Sequence, residues 1–298
     1  MHPRTIDMDG PVHVVDFGGT GPAIVLVHGL GGSHVNWFAS GPLLAERGRV
    51  VAFDLPGFGR TPLESRSSAV GANADLVARF VEAEIGAPAV LVGNSMGGLV
   101  SLLATQRHPE LAAGLVLVDP AVPRAPGGGI DPAVALTFAG YFTPGMGEAL
   151  LRRRAARLGA EGMVRETLAL CCVDPAQVPP EVVDALIELG RERIEEMPWA
   201  HTAFLGAARS LMRTLALRRR FDGIVRSITA PTLIVHGAQD RLVPLAAIQM
   251  VARARPDWTL EVYDDIGHVP QLEAPDRFAA SVLGWLEGAG RAAAVAAG

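Results

Sequence analysis

The chain has 298 residues, of which 49% are hydrophobic and 19% are charged. This length and balance are typical of a folded protein with one large domain, or with a domain that carries an insertion. The formal net charge of −5 gives no electrostatic basis for binding nucleic acid, so that class of partner is not expected.

The N-terminal segment and the cysteines predict the cellular compartment. The only two cysteines, Cys171 and Cys172, are adjacent, which favours a reducing compartment over a disulfide framework. The first 17 residues contain no apolar run after a basic start, and no run approaches the roughly 18 apolar residues of a spanning helix. We therefore expect a cytoplasmic protein without stable membrane insertion.

Short β-branched runs alternate with longer amphipathic segments, which predicts the α/β class: a mostly parallel central sheet flanked by helices. In chain order, strands are predicted at residues 12–15, 23–27, 50–53, 90–92, 115–118, 233–235 and 260–263. Helices are predicted, among others, at residues 73–85, 96–108, 244–254 and 274–286.

This alternation stops between residues 120 and 226, where the sequence opens with Pro and Gly and continues with helical spacing of Leu, Ala, Arg and Glu. The pattern predicts a core domain of residues 1–120 and 227–298, with a helical cap inserted at 121–226.

The sequence VLVGNSMGGLV at residues 90–100 places Ser95 between a predicted strand and a predicted helix. This is the context that a G-x-S-x-G nucleophile elbow requires. Gly93 and Gly97 suit so tight a turn because they have no side chain. A serine hydroxyl also needs a base, and the base needs an acid to orient it. Asp240 and His268 follow two successive predicted strands, and parallel strands bring their carboxyl ends to one edge of a sheet.

Five segments together resemble the α/β-hydrolase fold superfamily, in its serine esterase and lipase-like branch with a helical cap. They occur in the expected order: LVHGLGG at 26–32, FDLPGFGRT at 53–61, GNSMGG at 93–98, HGAQDRLVP at 236–244 and GHVPQLEAP at 267–275.

The resemblance implies that Ser95 is the nucleophile, His268 the general base and then acid, and Asp240 the acid that orients it. It also implies an oxyanion hole made by the backbone N–H groups of Leu30 and Met96. Asp119, which also ends a strand, is a minor alternative for the acid.

Other histidines and Asp54 are assigned supporting positions. His28 is expected to support the oxyanion loop, and His236 to lie in a loop near the acid. Asp54 is expected to shape a tight turn beside the site.

Cofactor and metal chemistry find little support in the sequence. The histidines are scattered without metal-ligand spacing, and a phosphate-binding Walker loop is ruled out because the chain contains no lysine. We predict no cofactor and no metal.

A serine at the elbow favours acyl chemistry, so the predicted activity is hydrolysis of carboxylic esters of small to medium apolar substrates through an acyl-enzyme. One alternative is a carbon–carbon hydrolase of the meta-cleavage-product type, which the GNSMGG segment also resembles. Against it, that branch usually carries a tryptophan after the histidine, and here the residue is Val269. A second alternative is a non-catalytic ligand-binding protein that keeps the fold.

The predicted partner is a small-molecule ester, and the oligomeric state is left open. Apolar residues predicted to line the substrate pocket are Phe138, Tyr141, Phe142, Met146, Trp199, Phe204, Met212 and Val269.

Overall fold

An eight-stranded sheet organises the computed structural model, which describes residues 1–125, 140 and 146–296. The strands are β1 (His2–Asp7), β2 (Pro11–Gly18), β3 (Ala23–Val27), β4 (Arg49–Phe53), β5 (Ala89–Asn94), β6 (Ala112–Val118), β7 (Thr232–Gly237) and β8 (Thr259–Tyr263). Their order is β1-β2-β4-β3-β5-β6-β7-β8. β2 is antiparallel to both of its neighbours, β1 and β4, and the other five pairings are parallel, so the prediction of a mostly parallel sheet is confirmed.

The first strand was not predicted. β1 has the sequence HPRTID and leaves alternate side chains exposed, so it lacks the apolar run that marks the buried strands. It lies at the edge of the sheet and pairs only with β2, from His2 opposite Asp16 to Asp7 opposite Pro11. Backbone pairing at an edge does not require an apolar sequence, which explains why the strand escaped the pattern.

Helices cover the sheet. They are α1 (Gly41–Leu44), α2 (Val70–Phe80), α3 (Met96–Arg107), α4 (Gly147–Cys171), α5 (Pro180–Glu196), α6 (Ala200–Ala216), α7 (Arg218–Ser227), α8 (Leu245–Ala254), α9 (Pro270–Glu273) and α10 (Pro275–Ala296). A π-helical turn at Val81–Ile85 extends α2, and 3-10 turns occur at His34–Trp37, Pro109–Leu111 and Pro175–Gln177.

Alternating residues of the central strands face two separate cores. In β3, Val25 and Val27 pack on the side covered by α2, α3 and α8, whereas Ile24 and Leu26 pack on the side covered by α1 and α10. A sheet buried on both faces needs apolar residues at every position, which is why these strands appear as continuous apolar runs. The helices on both faces confirm the predicted fold class.

Between β6 and β7 the described residues form helices α4 to α7 and no strand. We call residues 147–227 the helical segment. A break at Gly159, with φ of 62°, divides α4. The C-terminal half of the segment contacts the core, since α7 packs on α3 and α6 packs on α2. Over the part of the chain that the structure describes, no helix is long and apolar enough to cross a membrane.

Candidate active site

Ser95 occupies a strained turn between β5 and α3. Its φ of 54° and ψ of −116° lie in a region that residues with a side chain rarely adopt. The neighbouring glycines allow the turn by close approach. A Cβ at Gly93 would lie 2.4 Å from the carbonyl oxygen of Gly97, and one at Gly97 would lie 2.1 Å from that of Val27. The sequence pattern around Ser95 therefore corresponds to a real steric requirement.

Backbone hydrogen bonds fix the turn against the next strand. The N–H of Ser95 donates to the carbonyl of Val118 at 2.9 Å, and the N–H of Ala121 donates to the carbonyl of Ser95 at 3.0 Å. The buried amide side chain of Asn94 donates to the carbonyl of His268 at 3.1 Å. Asn94 thereby holds the His268 loop beside the elbow, a role that the sequence did not suggest because the two residues are 174 positions apart.

His268 and Asp240 form a buried pair. Nδ1 of His268 lies 2.6 Å from Oδ2 of Asp240, and the other carboxylate oxygen accepts the N–H groups of Leu242 and Val243 at 2.7 and 3.0 Å. Burial alone would lower the pKa of His268, but the charge of Asp240 and its hydrogen bond raise it above the ordinary value. Burial alone would raise the pKa of Asp240, but the charge of His268 and its hydrogen bond hold that pKa below the ordinary value.

Asp119 lies close to this pair but faces elsewhere. Its Oδ1 accepts the N–H of Gly237 at 3.0 Å and lies 2.9 Å from Nδ1 of His236, in poor alignment for a hydrogen bond. Its Oδ2 is buried without a partner among the described residues. Asp119, Asp240 and His268 each place one polar atom within 4.8 Å of the others. Burial raises the pKa of Asp119 to about 6.

The loop that contains Leu30 lies against Ser95. A Cβ at Gly29 would lie 3.2 Å from the Cβ of Ser95. Buried His28 supports this loop: its Nε2 accepts the N–H of Leu55 at 3.0 Å, and its Nδ1 donates to the carbonyl of Gly29 at 2.7 Å. Because Nε2 accepts a hydrogen bond it carries no proton, so the ring is neutral, and burial lowers the pKa of His28 in the same sense. Among the residues that the structure describes, none accepts a hydrogen bond from the N–H of Leu30.

The second predicted oxyanion donor is the N–H of Met96. It is the first residue of α3, where backbone N–H groups have no intrahelical acceptor. The N–H of Met96 therefore has no acceptor within α3, and its part in an oxyanion hole stays a prediction.

Asp54 lies near the loop that contains Leu30 and accepts several buried hydrogen bonds. It accepts the backbone N–H of His34 at 2.6 Å, Nδ1 of His34 at 2.8 Å and the N–H of Arg60 at 2.8 Å. A Cβ at Gly59 would lie 2.1 Å from its carboxyl group, so the turn is as tight as predicted. The Arg60 guanidinium forms a bidentate salt bridge with the carboxylate of Glu192 of α5, with N···O distances of 2.6 and 2.9 Å. This salt bridge connects the turn to the helical segment.

The predicted pocket residues are dispersed. Phe204 lies against the oxyanion loop, since its ring would be 3.2 Å from a Cβ at Gly31. Trp199 is half-buried, and Met146 is 52% exposed. Val269 packs in an apolar cluster that joins the His268 loop to α4 and α5. Phe138, Tyr141 and Phe142 lie outside the described residues, and Met212 is half-buried on α6. The contribution of each to a pocket stays a prediction.

The sequence matches the family described as alpha/beta hydrolase fold over residues 22–275. The chain belongs to this family. A pimeloyl-(acyl-carrier protein) methyl ester esterase of Aromatoleum aromaticum is 30% identical over 262 residues, which cover 86% of this chain and 94% of that protein.

The chain is also similar to a carbon–carbon hydrolase by name and to a solved esterase structure. A 2-hydroxy-6-oxononadienedioate/2-hydroxy-6-oxononatrienedioate hydrolase of Pseudomonas sp is 26% identical, covering 94% of this chain and 93% of that protein. A thermophilic esterase of Thermogutta terrifontis has the same fold, with a TM-score of 0.72 and 24% identity, covering 97% and 99% of the two chains.

The chain spans only 64% of the dihydrolipoyllysine-residue acetyltransferase component of the acetoin cleaving system of Pseudomonas putida, with 28% identity. The family and its esterase-named members support a hydrolase.

Proposed function

We propose that the protein is a serine hydrolase that cleaves carboxylic esters of small to medium apolar substrates through an acyl-enzyme. One observation carries the proposal: the 2.6 Å pair of His268 and Asp240 is held by Asn94 beside the strained Ser95. A base already oriented by an acid is what a serine hydroxyl needs to become a nucleophile at neutral pH.

In the first half of the proposed reaction, Nε2 of His268 takes the proton of the Ser95 hydroxyl while its oxygen attacks the ester carbonyl carbon. The negative charge that develops on the carbonyl oxygen is stabilised by the N–H groups of Leu30 and Met96. His268 then gives its proton to the departing alkoxide, and the alcohol leaves an acyl group on Ser95.

In the second half, His268 takes a proton from water as the water oxygen attacks the acyl carbonyl. Collapse of the second tetrahedral intermediate releases the carboxylic acid, and Ser95 regains its proton from His268. Asp240 stabilises the imidazolium in both halves and keeps the proton of Nδ1 in place.

The proposal includes a division of labour between two regions, a core of residues 1–120 and 227–298 and a helical cap at 121–226. The absence of strands in the described part of this interval supports a cap, and so does the contact of Phe204 with Gly31 of the oxyanion loop. In this scheme the cap sets acyl-chain preference, because Phe204 of the cap lies against Gly31, next to Leu30.

The test is hydrolysis of p-nitrophenyl esters from acetyl to palmitoyl, with Ser95→Ala as the blank. Turnover that depends on Ser95 and peaks at one chain length supports acyl chemistry and measures the pocket. Equal release by both proteins would show that Ser95 is not the nucleophile.

Arg193 favours a second candidate, hydrolysis of a carbon–carbon bond in a substrate that carries a carboxylate. This half-buried side chain of α5 has no ion pair or hydrogen bond among the described residues, and burial lowers its pKa. Its charge acts on Asp54, on His28 and on His201. An unpaired guanidinium suits a carboxylate ligand, and the substrate named for the Pseudomonas relative is a dioate.

Val269, in place of the tryptophan typical of carbon–carbon hydrolases, keeps this candidate second. The two candidates differ in their need for Arg193. Arg193→Met is expected to spare hydrolysis of a neutral p-nitrophenyl ester, and to abolish turnover of a dienoate ring-fission product if that is the natural class of substrate.

A further inference from the structure

The carboxylate of Glu273 connects two segments that are distant in sequence. Glu273 ends α9, five residues after His268, and is 2% exposed. Its Oε2 accepts the N–H of Gly267 at 2.9 Å, and its Oε1 accepts the N–H groups of Val173 and Asp174 at 2.7 and 2.8 Å. Within the described residues no cation pairs with it, so backbone N–H groups alone balance this buried carboxylate.

A direct bond joins the same two segments. The N–H of His268 donates to the carbonyl of Cys171, the last residue of α4, at 2.6 Å. A Cβ at Gly267 would lie 2.2 Å from that same carbonyl oxygen, and one at Gly237 would lie 1.9 Å from the carbonyl oxygen of Gly267. The peptide that carries His268 is therefore clamped between the end of β7 and the end of α4.

We propose that Glu273 is a positioning residue that locks the end of α4 onto the His268 loop, so that the helical segment helps to hold His268 against Asp240. This inference rests on the proposed role of His268 as the general base. The helical segment then has a structural role besides its proposed part in substrate binding, because residues 171–174 provide the backbone groups that bind the His268 loop and Glu273.

A single substitution can test this role, because both oxygens of the Glu273 carboxylate accept hydrogen bonds. Glutamine has the shape of glutamate but presents one oxygen and one NH₂ group. In Glu273→Gln the NH₂ group must face either the N–H of Gly267 or those of Val173 and Asp174. Either orientation sets donor against donor and opens one side of the clamp.

Two measurements separate positioning from simple stability. The first is kcat and KM with the best p-nitrophenyl ester. The second is titration of the His268 ring by NMR of histidine-labelled protein, which needs no substrate. The charged groups that act on that ring are Asp240 and Asp119, whereas Cys171 and Glu273 contact the backbone on either side of it.

We expect Glu273→Gln to lower kcat roughly ten- to hundredfold with KM within about twofold, since a misplacement of about 1 Å can cost a factor of 10². The pKa of His268 is expected to fall, because a looser bond to Asp240 stabilises the imidazolium less. Val282→Ala, a fully buried change on α10, is the matched control for lost stability and is expected to lower Tm with kcat and the His268 titration unchanged.

The proposal is overturned if Glu273→Gln lowers Tm as the control does but keeps the wild-type kcat and His268 titration. If Glu273→Gln does not fold, Glu273→Asp serves instead. Its carboxylate is one methylene shorter and reaches only one side, so wild-type behaviour would show that a two-sided clamp is not needed. If the wild type cleaves no ester, the proposed function fails, and the NMR titration still decides whether Glu273 positions His268.

Discussion

Replacing Asp240 by Asn is the most informative single change at the candidate site. Oδ1 of Asp240 accepts two backbone N–H groups, from Leu242 and Val243, whereas Oδ2 faces His268. In Asp240→Asn the amide oxygen will keep the two N–H donors, because the NH₂ group cannot accept them. The NH₂ group then points at Nδ1 of His268, which must give up its proton to accept this hydrogen bond.

The expected loss of kcat in Asp240→Asn follows from the tautomer of His268. With Nδ1 as the acceptor, the neutral ring carries its proton on Nε2 and cannot take one from Ser95. The same exchange of Asp for Asn in a serine protease lowers kcat about 10⁴-fold while leaving the geometry intact. At about 1.36 kcal/mol per factor of ten, this is a loss of about 5.4 kcal/mol of transition-state stabilisation. Asp119 lies close enough to limit the loss, and so we expect a fall between 10³- and 10⁴-fold.

The assay is steady-state hydrolysis of the best p-nitrophenyl ester, with Asp119→Asn as the matched control. Both changes remove one buried carboxylate near His268, but only Asp240 is hydrogen-bonded to it. Asp119→Asn should therefore keep activity within about tenfold of wild type. A loss below tenfold for Asp240→Asn together with a larger loss for Asp119→Asn would refute the reasoning and make Asp119 the acid.

Three further outcomes are expected. Asp240 raises the pKa of His268, and the base must be neutral to act. As the pH is lowered, kcat/KM should therefore decrease with a midpoint above about 6.5, and a midpoint well below that value would contradict the pairing. His236→Gln should keep kcat within about tenfold in the same ester assay, since His236 contacts Asp119 and not His268; near-complete loss would give it a larger role. Gly97→Ala should lower the free energy of unfolding by about 3 kcal/mol in urea titration, because the new methyl group meets the carbonyl of Val27, and an unchanged midpoint would contradict this steric account.

The sheet was largely predictable because its physics is local. The strands from β2 to β7 are buried on one or both faces and β8 is partly buried, so their apolar residues are visible in the sequence. β1 was missed because an exposed edge strand is held by backbone pairing, which no side-chain pattern reports. The predicted helix at 73–85 begins at Val70 and ends in a π-helical turn, since helix ends depend on capping and packing more than on periodicity.

The sequence singles out three groups of the candidate site, whose catalytic roles stay predictions, but it does not reveal the residues that support them. Ser95, Asp240 and His268 stand in motifs whose residue types the chemistry dictates. Asn94 and Glu273 act through hydrogen bonds to backbone atoms about 174 and 100 positions away, and any sequence provides such atoms. Both residues lie in motifs quoted above, but a motif cannot report a partner that is a peptide group, so their contacts became visible only in the fold.

The choice between Asp119 and Asp240 shows what geometry adds to a motif. Both end parallel strands, both are buried, and each places an oxygen within 4.8 Å of the His268 ring and the other carboxylate. The orientation of the oxygens distinguishes them: Asp240 turns one to Nδ1, whereas Asp119 turns one to the N–H of Gly237, three residues before Asp240. Asp119 thus supports the turn that presents Asp240. Asp119 therefore acts on the position of Asp240, and Asp240 is the carboxylate that is hydrogen-bonded to His268.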